Sequence, residues 1–228
     1  MAVTILTDWA GLKSGSPTGS ATFGSSSDRV LFMVYMAERA ASLTYTSITI
    51  GGEAPDGEVI AESSTTSVSA EQYIWAWYWE EATLAAMTST GISLSKSATP
   101  ANHVWDYITF AGAGGGAEFN ANTVEASATN TSITSDNATS VNDFLVVMAN
   151  RSADARNITA WDNLTEGWQH NTNFTAGVAD GSGGDDTVSI TGDGFSGDWM
   201  VALLRLISAG ATGTPAITMK HLHEVMLK

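Results

Sequence analysis

The chain has 228 residues and carries 9 Lys and Arg against 24 Asp and Glu, so its formal net charge is −15 with His neutral. Because proteins contact nucleic-acid phosphates mainly through Lys and Arg, this balance excludes nucleic acid as an expected partner. Hydrophobic residues make up 43% of the chain and charged residues 14%, which is typical of a globular protein. The lack of cysteine excludes disulfides, thiolate nucleophiles and cysteine-ligated metals.

The N-terminus lacks a basic region followed by an apolar stretch and a small-residue cleavage site, so we expect no secretory signal. No uncharged apolar run reaches the roughly 18 residues of a spanning helix, so we expect no membrane partner. Predicted strands continue on both sides of each glycine-rich segment. We therefore predict one domain at 25–207, an N-terminal arm at 1–24 and a C-terminal arm at 208–228.

Runs of apolar and β-branched residues alternate with loops rich in Gly, Ser, Asn, Asp and Thr, a pattern that predicts strands. The strongest predicted strands are residues 29–37, 44–50, 72–79, 91–95, 103–110, 144–149, 187–191 and 199–206. Weaker candidates are residues 3–6, 123–126 and 158–160, and residues 82–89 favour a short helical turn. We predict an all-β fold, an antiparallel β-sandwich or jelly roll with short N- and C-terminal arms.

Three of the predicted strands share an opening, because Asp28, Asp143 and Asp198 each come just before a nearly unbroken apolar run. Runs buried on both faces are typical of central strands in packed sheets, and an Asp at the entry favours a turn. A weak internal duplication is the alternative explanation. The segments that flank the three runs do not repeat, which disfavours it.

Both predicted arms carry apolar residues that we expect to contact other subunits. In the C-terminal arm these residues suit a short amphipathic helix, which would dock onto this or a neighbouring subunit. The predicted contact residues are Leu6, Trp9, Leu12, Leu222, Val225 and Met226.

Candidate metal and catalytic residues are sparse. His221 and His223 would share one face of a strand, but no third ligand has a recognisable spacing. The acidic loop at residues 180–186 offers oxygen ligands for calcium, yet it lacks the spacing of an EF-hand loop, so a solvated hairpin tip is favoured. Neither a Gly-x-Ser-x-Gly sequence nor a phosphate-binding glycine loop occurs. We predict no enzyme, no metal and no cofactor.

The most distinctive segment is the aromatic run at residues 73–79. Strand alternation places Trp75, Trp77 and Trp79 on one face. Such a row could stack on sugar rings or fill a subunit interface. We favour a core strand for most of these rings. The alternative is that Trp75, Trp77 and Trp79 contact a glycan.

Six segments together resemble a β-sandwich domain of tailed-bacteriophage virion proteins. They are residues 28–38, 48–53, 74–79, 142–148, 164–168 and 197–206, and the resemblance spans about residues 28–206. The resemblance implies a particle-surface protein, such as a capsid decoration (cement) protein, a head spike or a fibre, which is usually oligomeric. It implies no catalytic residues.

From this resemblance we expect a non-enzymatic capsid decoration protein on the outer surface of the virion, assembled in the bacterial host cytoplasm. Its expected partners are the major capsid protein or other virion subunits and further copies of itself, with a trimer as one option. A receptor- or glycan-binding spike or fibre module is the alternative. An enzyme that acts on polysaccharide comes third.

Overall fold

A computed structural model describes residues 1–11, 13–39, 43–63, 71–100, 102–135, 139–152, 158–162, 165–170, 174–192 and 197–209. The first half of this part contains β1 (Thr4–Thr7), β2 (Lys13–Ser14), β3 (Val30–Arg39), β4 (Tyr45–Ile50), β5 (Gly57–Ser63), β6 (Glu71–Glu80), α1 (Glu81–Ala86), β7 (Ile92–Lys96) and β8 (Asn102–Ala111). The second half contains β9 (Gly116–Ala128), β10 (Asn130–Thr134), β11 (Phe144–Ser152), β12 (Ile158–Asp162), β13 (Thr165–His170), β14 (Phe174–Asp180), β15 (Thr187–Gly192) and β16 (Gly197–Ile207).

The predicted all-β antiparallel sandwich is confirmed, and each of the eight strongest predicted strands is present with shifted ends. The short helix α1 also lies where a helical turn was expected. The sequence missed β2, β5, β10, β13, β14 and most of β9. Several of these strands are polar or glycine-containing, such as Asn130–Thr134 and Phe174–Asp180. Backbone pairing with an apolar neighbour holds such strands without a strong pattern of their own.

Two large antiparallel sheets form the centre of the molecule. One has the strand order β1-β8-β3-β6-β5, with β2 also paired to β8, and the other has the order β13-β14-β11-β16-β9. Two smaller sheets have the orders β4-β7 and β10-β15-β12. Within the described ranges, no helix is long and apolar enough to cross a membrane.

The two halves repeat one strand arrangement with one exception, because adding eight to the strand numbers of β1-β8-β3-β6-β5 gives the order of the second large sheet, whereas β2 pairs with β8 and β10 pairs with β15. The registers also agree. Val30 lies opposite Glu80 and Phe110, and Phe144 lies opposite Asp180 and Leu206. An internal repeat is therefore present in the order of the strands, although the sequences that flank the apolar runs do not repeat and had disfavoured it. We call β1–β8 the first repeat and β9–β16 the second repeat.

The cores explain why the central strands read as unbroken apolar runs. In β3 alternate residues such as Phe32 and Val34 face the second large sheet, and the others, such as Leu31 and Met33, face β4 and β7. The second large sheet likewise covers a third core with the β10-β15-β12 sheet. The layers therefore follow the order small sheet, large sheet, large sheet, small sheet.

The three Asp residues at the strand entries have different surroundings. Asp143 accepts a hydrogen bond from Ser140 N (3.0 Å) and forms the expected turn. Asp28 has a positive φ of 55°. Asp198 is the second residue of β16 and is buried. Residues 193–196, where its turn would lie, are outside the described part of the chain, so that turn stays a prediction.

The predicted division at residues 24 and 207 stays a prediction. The N-terminal segment pairs with β8 through β1, and Val3 belongs to the central core. Residues 210–228 lie outside the described part of the chain.

Candidate functional site

The indole row is a core element. Trp75, Trp77 and Trp79 are fully buried between the first large sheet and the β4-β7 sheet. Tyr35 stacks on Trp75 with ring centroids 5.2 Å apart, and Trp79 donates its indole N–H to the carbonyl of Glu53 (3.2 Å). The core interpretation of these rings is confirmed. A sugar ring cannot stack on a covered indole, so their burial gives the glycan-contact alternative no support.

The described contact residues of the N-terminal segment touch their own chain. Trp9 packs edge-on against Phe32, with ring centroids 6.2 Å apart. Leu6 is half-buried beside Gly24, where an added Cβ would lie 3.0 Å from the Leu6 side chain. Contact of Leu6 and Trp9 with another subunit stays a prediction.

The other sequence-predicted site residues lie outside the described residues: Leu12, His221, Leu222, His223, Val225 and Met226. In the part of the chain that is described, no group of three or more His, Asp or Glu residues could hold a metal ion.

An acid-rimmed cleft of about 500 Å³ opens at the end of β14. Leu145 and Val188 are buried residues that form its apolar floor together with the half-buried Ala179. Its rim is polar and consists of Asp180, Ser182, Asp185, Asp186 and Thr187. We call this feature the acidic cleft, and it is our candidate site.

The loop that forms the rim is tied down by its own side chains. Asp186 accepts hydrogen bonds from the Thr139 hydroxyl and from Ser182 N. Burial opposes the ionisation of Asp186, yet these hydrogen bonds outweigh it, and the pKa of Asp186 is lowered. A Cβ at Gly181 would overlap the carbonyl oxygen of Ser140, so this position requires glycine. The rim is thus a preformed loop that carries negative charge.

The matching place in the first repeat is filled. Leu145 lies opposite Ala179, just as Leu31 lies opposite Trp79 in the first large sheet. The first repeat follows Trp79 with α1, whose Leu84 is buried in the same core as Leu31 and Trp79. The second repeat has alanine in place of the indole and a short glycine-rich loop in place of the helix. The acidic cleft is therefore the space that an indole and a helix occupy in the other repeat.

The sequence indicated only part of this site. The acidic loop stood out as a cluster of carboxylates, but nothing marked Leu145, Ala179 or Val188 as cleft residues. The only available signal was the replacement of Trp79 by Ala179, which is visible once the repeats are aligned by register.

The carboxylates of the rim suit a cationic group, whereas Leu145 and Val188 beneath them are already buried and offer little apolar surface. The rim carboxylates Asp180 and Asp185 are exposed and available for such a contact.

Comparison of the chain with protein-family models, with curated proteins and with solved structures finds no match.

Proposed function

We propose that this chain is a non-enzymatic virion structural protein, a capsid decoration (cement) protein on the outer surface of a tailed-phage head. The resemblance of residues 28–206 to phage virion domains is the starting point. The observation that carries the proposal is the repeated eight-strand arrangement of two packed sandwiches.

We also propose that each repeat is a jelly roll, the eight-stranded double-sheet fold of many viral capsid domains. In that fold the first, eighth, third and sixth strands lie side by side, and the seventh pairs with the fourth. The first repeat has β1-β8-β3-β6 and β7-β4, and the second has β9-β16-β11-β14 and β15-β12. The repeats depart from the fold where β5 and β13 extend the large sheets and where β2 pairs with β8. One fold serves many functions, so this order supports a virion role only together with the resemblance.

A contact surface is available beside the N-terminus. Among the described residues, the large hydrophobic side chains that are exposed are Met1 (82%), Ile5 (42%) and Val141 (67%). A backbone hydrogen bond from Val3 N to the carbonyl of Asn142 (3.0 Å) joins the two segments that carry them. We propose that this surface contacts the major capsid protein or a further copy of this chain. Burial of its apolar area would contribute about 25 cal/mol per Å² to the free energy of binding, before the entropy lost on association is subtracted.

The first test is the copy number of the chain in purified particles, measured by quantitative mass spectrometry against the major capsid protein. We expect a ratio near one or a simple fraction such as one third. A handful of copies per particle would replace decoration by the spike or fibre alternative. Absence from the particles would overturn the virion role.

The second test changes the exposed surface. The double variant Ile5→Ser and Val141→Ser should lower binding to undecorated capsids at least tenfold, because two exposed apolar side chains are lost at about 1–2 kcal/mol each. Both residues are exposed, so far-UV circular dichroism should stay unchanged. Thr46→Ser, at an exposed position in the β4-β7 sheet, is the control. Deletion of residues 1–24 is a poor test, since it removes β1 and the buried Val3.

A further inference from the structure

A groove of about 390 Å³ opens at the side of the first repeat, between β4 and β5. In the described part of the chain, β4 pairs only with β7 and β5 only with β6, so both are edge strands. We call this feature the β4-β5 groove, and its volume lies in the range of sites that bind small molecules. The lining residues that the argument uses are Tyr45, Thr46, Ser47, Asp56, Gly57 and Glu58.

Tyr45 gives the groove an aromatic wall that is supported from behind. Its ring packs against Trp75 and Trp77, with centroids 5.5 Å and 5.7 Å apart, and both indoles are fully buried. Its hydroxyl donates a hydrogen bond to Glu58 on the β5 side (3.0 Å). The Tyr45 ring is only half-buried and lines the groove, so it offers apolar surface there. A ring that is already fixed binds a ligand without a further cost of ordering.

The β5 wall of the groove is fixed as well. Asp56 N donates a hydrogen bond to the carbonyl of Tyr78 (2.9 Å). The Asp56 carboxylate accepts hydrogen bonds from Glu80 N (2.7 Å) and from the Thr83 hydroxyl (2.8 Å). A Cβ at Gly57 would overlap the Tyr78 ring, so this close approach of the backbone requires glycine. Both walls are therefore in place before a ligand binds.

The chemistry of the lining selects the class of ligand. None of the described lining residues is Lys, Arg or His, while Asp56 and Glu58 are carboxylates, so an anionic ligand is disfavoured. Glu58 is exposed and can accept further hydrogen bonds, and the exposed hydroxyls of Thr46 and Ser47 can donate as well as accept. A neutral sugar ring combines an apolar face, which packs on an aromatic ring, with hydroxyls that bond to such groups.

We propose that the β4-β5 groove binds one ring of a neutral glycan. The apolar face of the sugar packs on Tyr45, and its hydroxyls bond to Glu58 and to the hydroxyls of β4. β5 and β1 are opposite edges of the same large sheet, and β1 carries the exposed Ile5. The groove therefore stays open when the surface beside the N-terminus is covered. Its outward position on a particle rests on the proposed function, whereas the sugar contact does not.

A glycan array probed with the purified full-length chain is the first test. The array presents neutral glucose, galactose and mannose oligosaccharides beside sialylated and uronic-acid glycans. We expect binding to neutral glycans. Titration calorimetry with one of these oligosaccharides in solution should give an affinity that is the same at low and high salt, because the ligand is uncharged. Absence of binding to every neutral glycan, or binding to anionic glycans alone, would overturn the proposal.

Variants place the binding in the groove. Tyr45→Ala should weaken the affinity at least about tenfold, because it removes the ring on which the sugar packs. Tyr45→Phe keeps that ring and should stay within about threefold of the wild type. Glu58→Gln should weaken binding by about threefold or more, because the charged acceptor is lost. Glu62→Gln, at another exposed carboxylate of β5, is its matched control and should leave the affinity unchanged.

Far-UV circular dichroism checks that each variant folds, and the Glu58→Gln and Glu62→Gln pair decides the outcome if Tyr45→Ala does not. An affinity that neither Tyr45→Ala nor Glu58→Gln changes contradicts binding in the groove. The measurement needs no particles, so it can fail while the virion role stands, and the reverse also holds.

Discussion

Asp143 joins three parts of the second repeat through one buried carboxylate. It accepts hydrogen bonds from Arg205 Nη2 (2.7 Å), from Ser140 N (3.0 Å) and from Ser208 N (3.0 Å). Burial opposes its ionisation, but these donors prevail and the pKa of Asp143 is lowered. The carboxylate thus stabilises the fold above its ordinary pKa, and this contribution is lost as the pH falls through the lowered value.

Asp106 shows the opposite behaviour, because its carboxylate is buried without a cationic partner in contact. Tyr107 N donates to one oxygen (2.8 Å), and the other oxygen has no hydrogen-bond partner. Burial raises the pKa of Asp106 to about 6, while the backbone groups of Tyr107 and Ala10 and the more distant Lys13 act against this shift and Asp8 adds to it. An acid of this kind is protonated more readily in the folded chain than in the unfolded chain.

We therefore expect Asp106→Asn to change the pH dependence of stability. In the wild type, stabilisation by protonated Asp106 is complete below the unfolded pKa near 3.9 and is lost as the pH rises through about 6. Asn does not titrate, so the variant should gain up to about 3 kcal/mol relative to the wild type between pH 4 and pH 7. Urea unfolding at several pH values measures this difference. Parallel stability curves for the two proteins would contradict it.

At the scale of elements, the repeats differ in the connection that follows two corresponding strands, β6 in the first repeat and β14 in the second. After β6 the chain forms α1, which buries Leu84. After β14 it forms the glycine-rich rim of the acidic cleft. Apart from β2 and β10, the strand order is the same in both repeats, so this connection and the tryptophan or alanine before it decide whether the end of the sandwich is closed.

Leu84→Ala should lower the free energy of unfolding by about 2–5 kcal/mol, since it removes a buried leucine side chain and leaves a cavity. Its residual exposure is 4%. Ala85→Ser, at an exposed position of the same helix, is the control and should change stability by less than about 0.5 kcal/mol. Chemical denaturation of both variants gives the comparison. A similar small change for both would mean that α1 does not close the first repeat.

At the scale of the whole molecule, the central core joins the repeats. Residues from both large sheets, such as Phe32, Phe110, Met148 and Leu204, belong to one buried cluster. Neither large sheet could expose its inner face to water without losing that apolar burial. The two repeats should therefore unfold together.

Leu203→Ala tests this cooperativity from the outer core of the second repeat, where Leu203 is fully buried. We expect a loss of about 2–5 kcal/mol. The buried Trp75, Trp77 and Trp79 of the first repeat contribute to the tryptophan fluorescence. The unfolding transition followed by fluorescence should move to a lower denaturant midpoint, and the transition followed by circular dichroism should move with it. A fluorescence transition that stays at the wild-type midpoint would show that the repeats unfold independently.

By itself, the sequence determined the all-β class, the central strands and the burial of most of the aromatic row. These features depend on local alternation and on unbroken apolar runs such as residues 30–37, which are visible in one chain. It also marked the acidic loop at residues 180–186, because the carboxylates are adjacent along the chain.

Only the tertiary structure decided the repeat and the site. The pairing of the polar strand β10 and of the glycine-containing strand β14 depends on backbone hydrogen bonds to distant neighbours, which side-chain patterns do not record. The acidic cleft exists because Ala179 and the short loop leave open a space that Trp79 and α1 fill in the first repeat. No residue in the sequence marks an empty space, so the cleft is recognised only when the two repeats are compared in three dimensions.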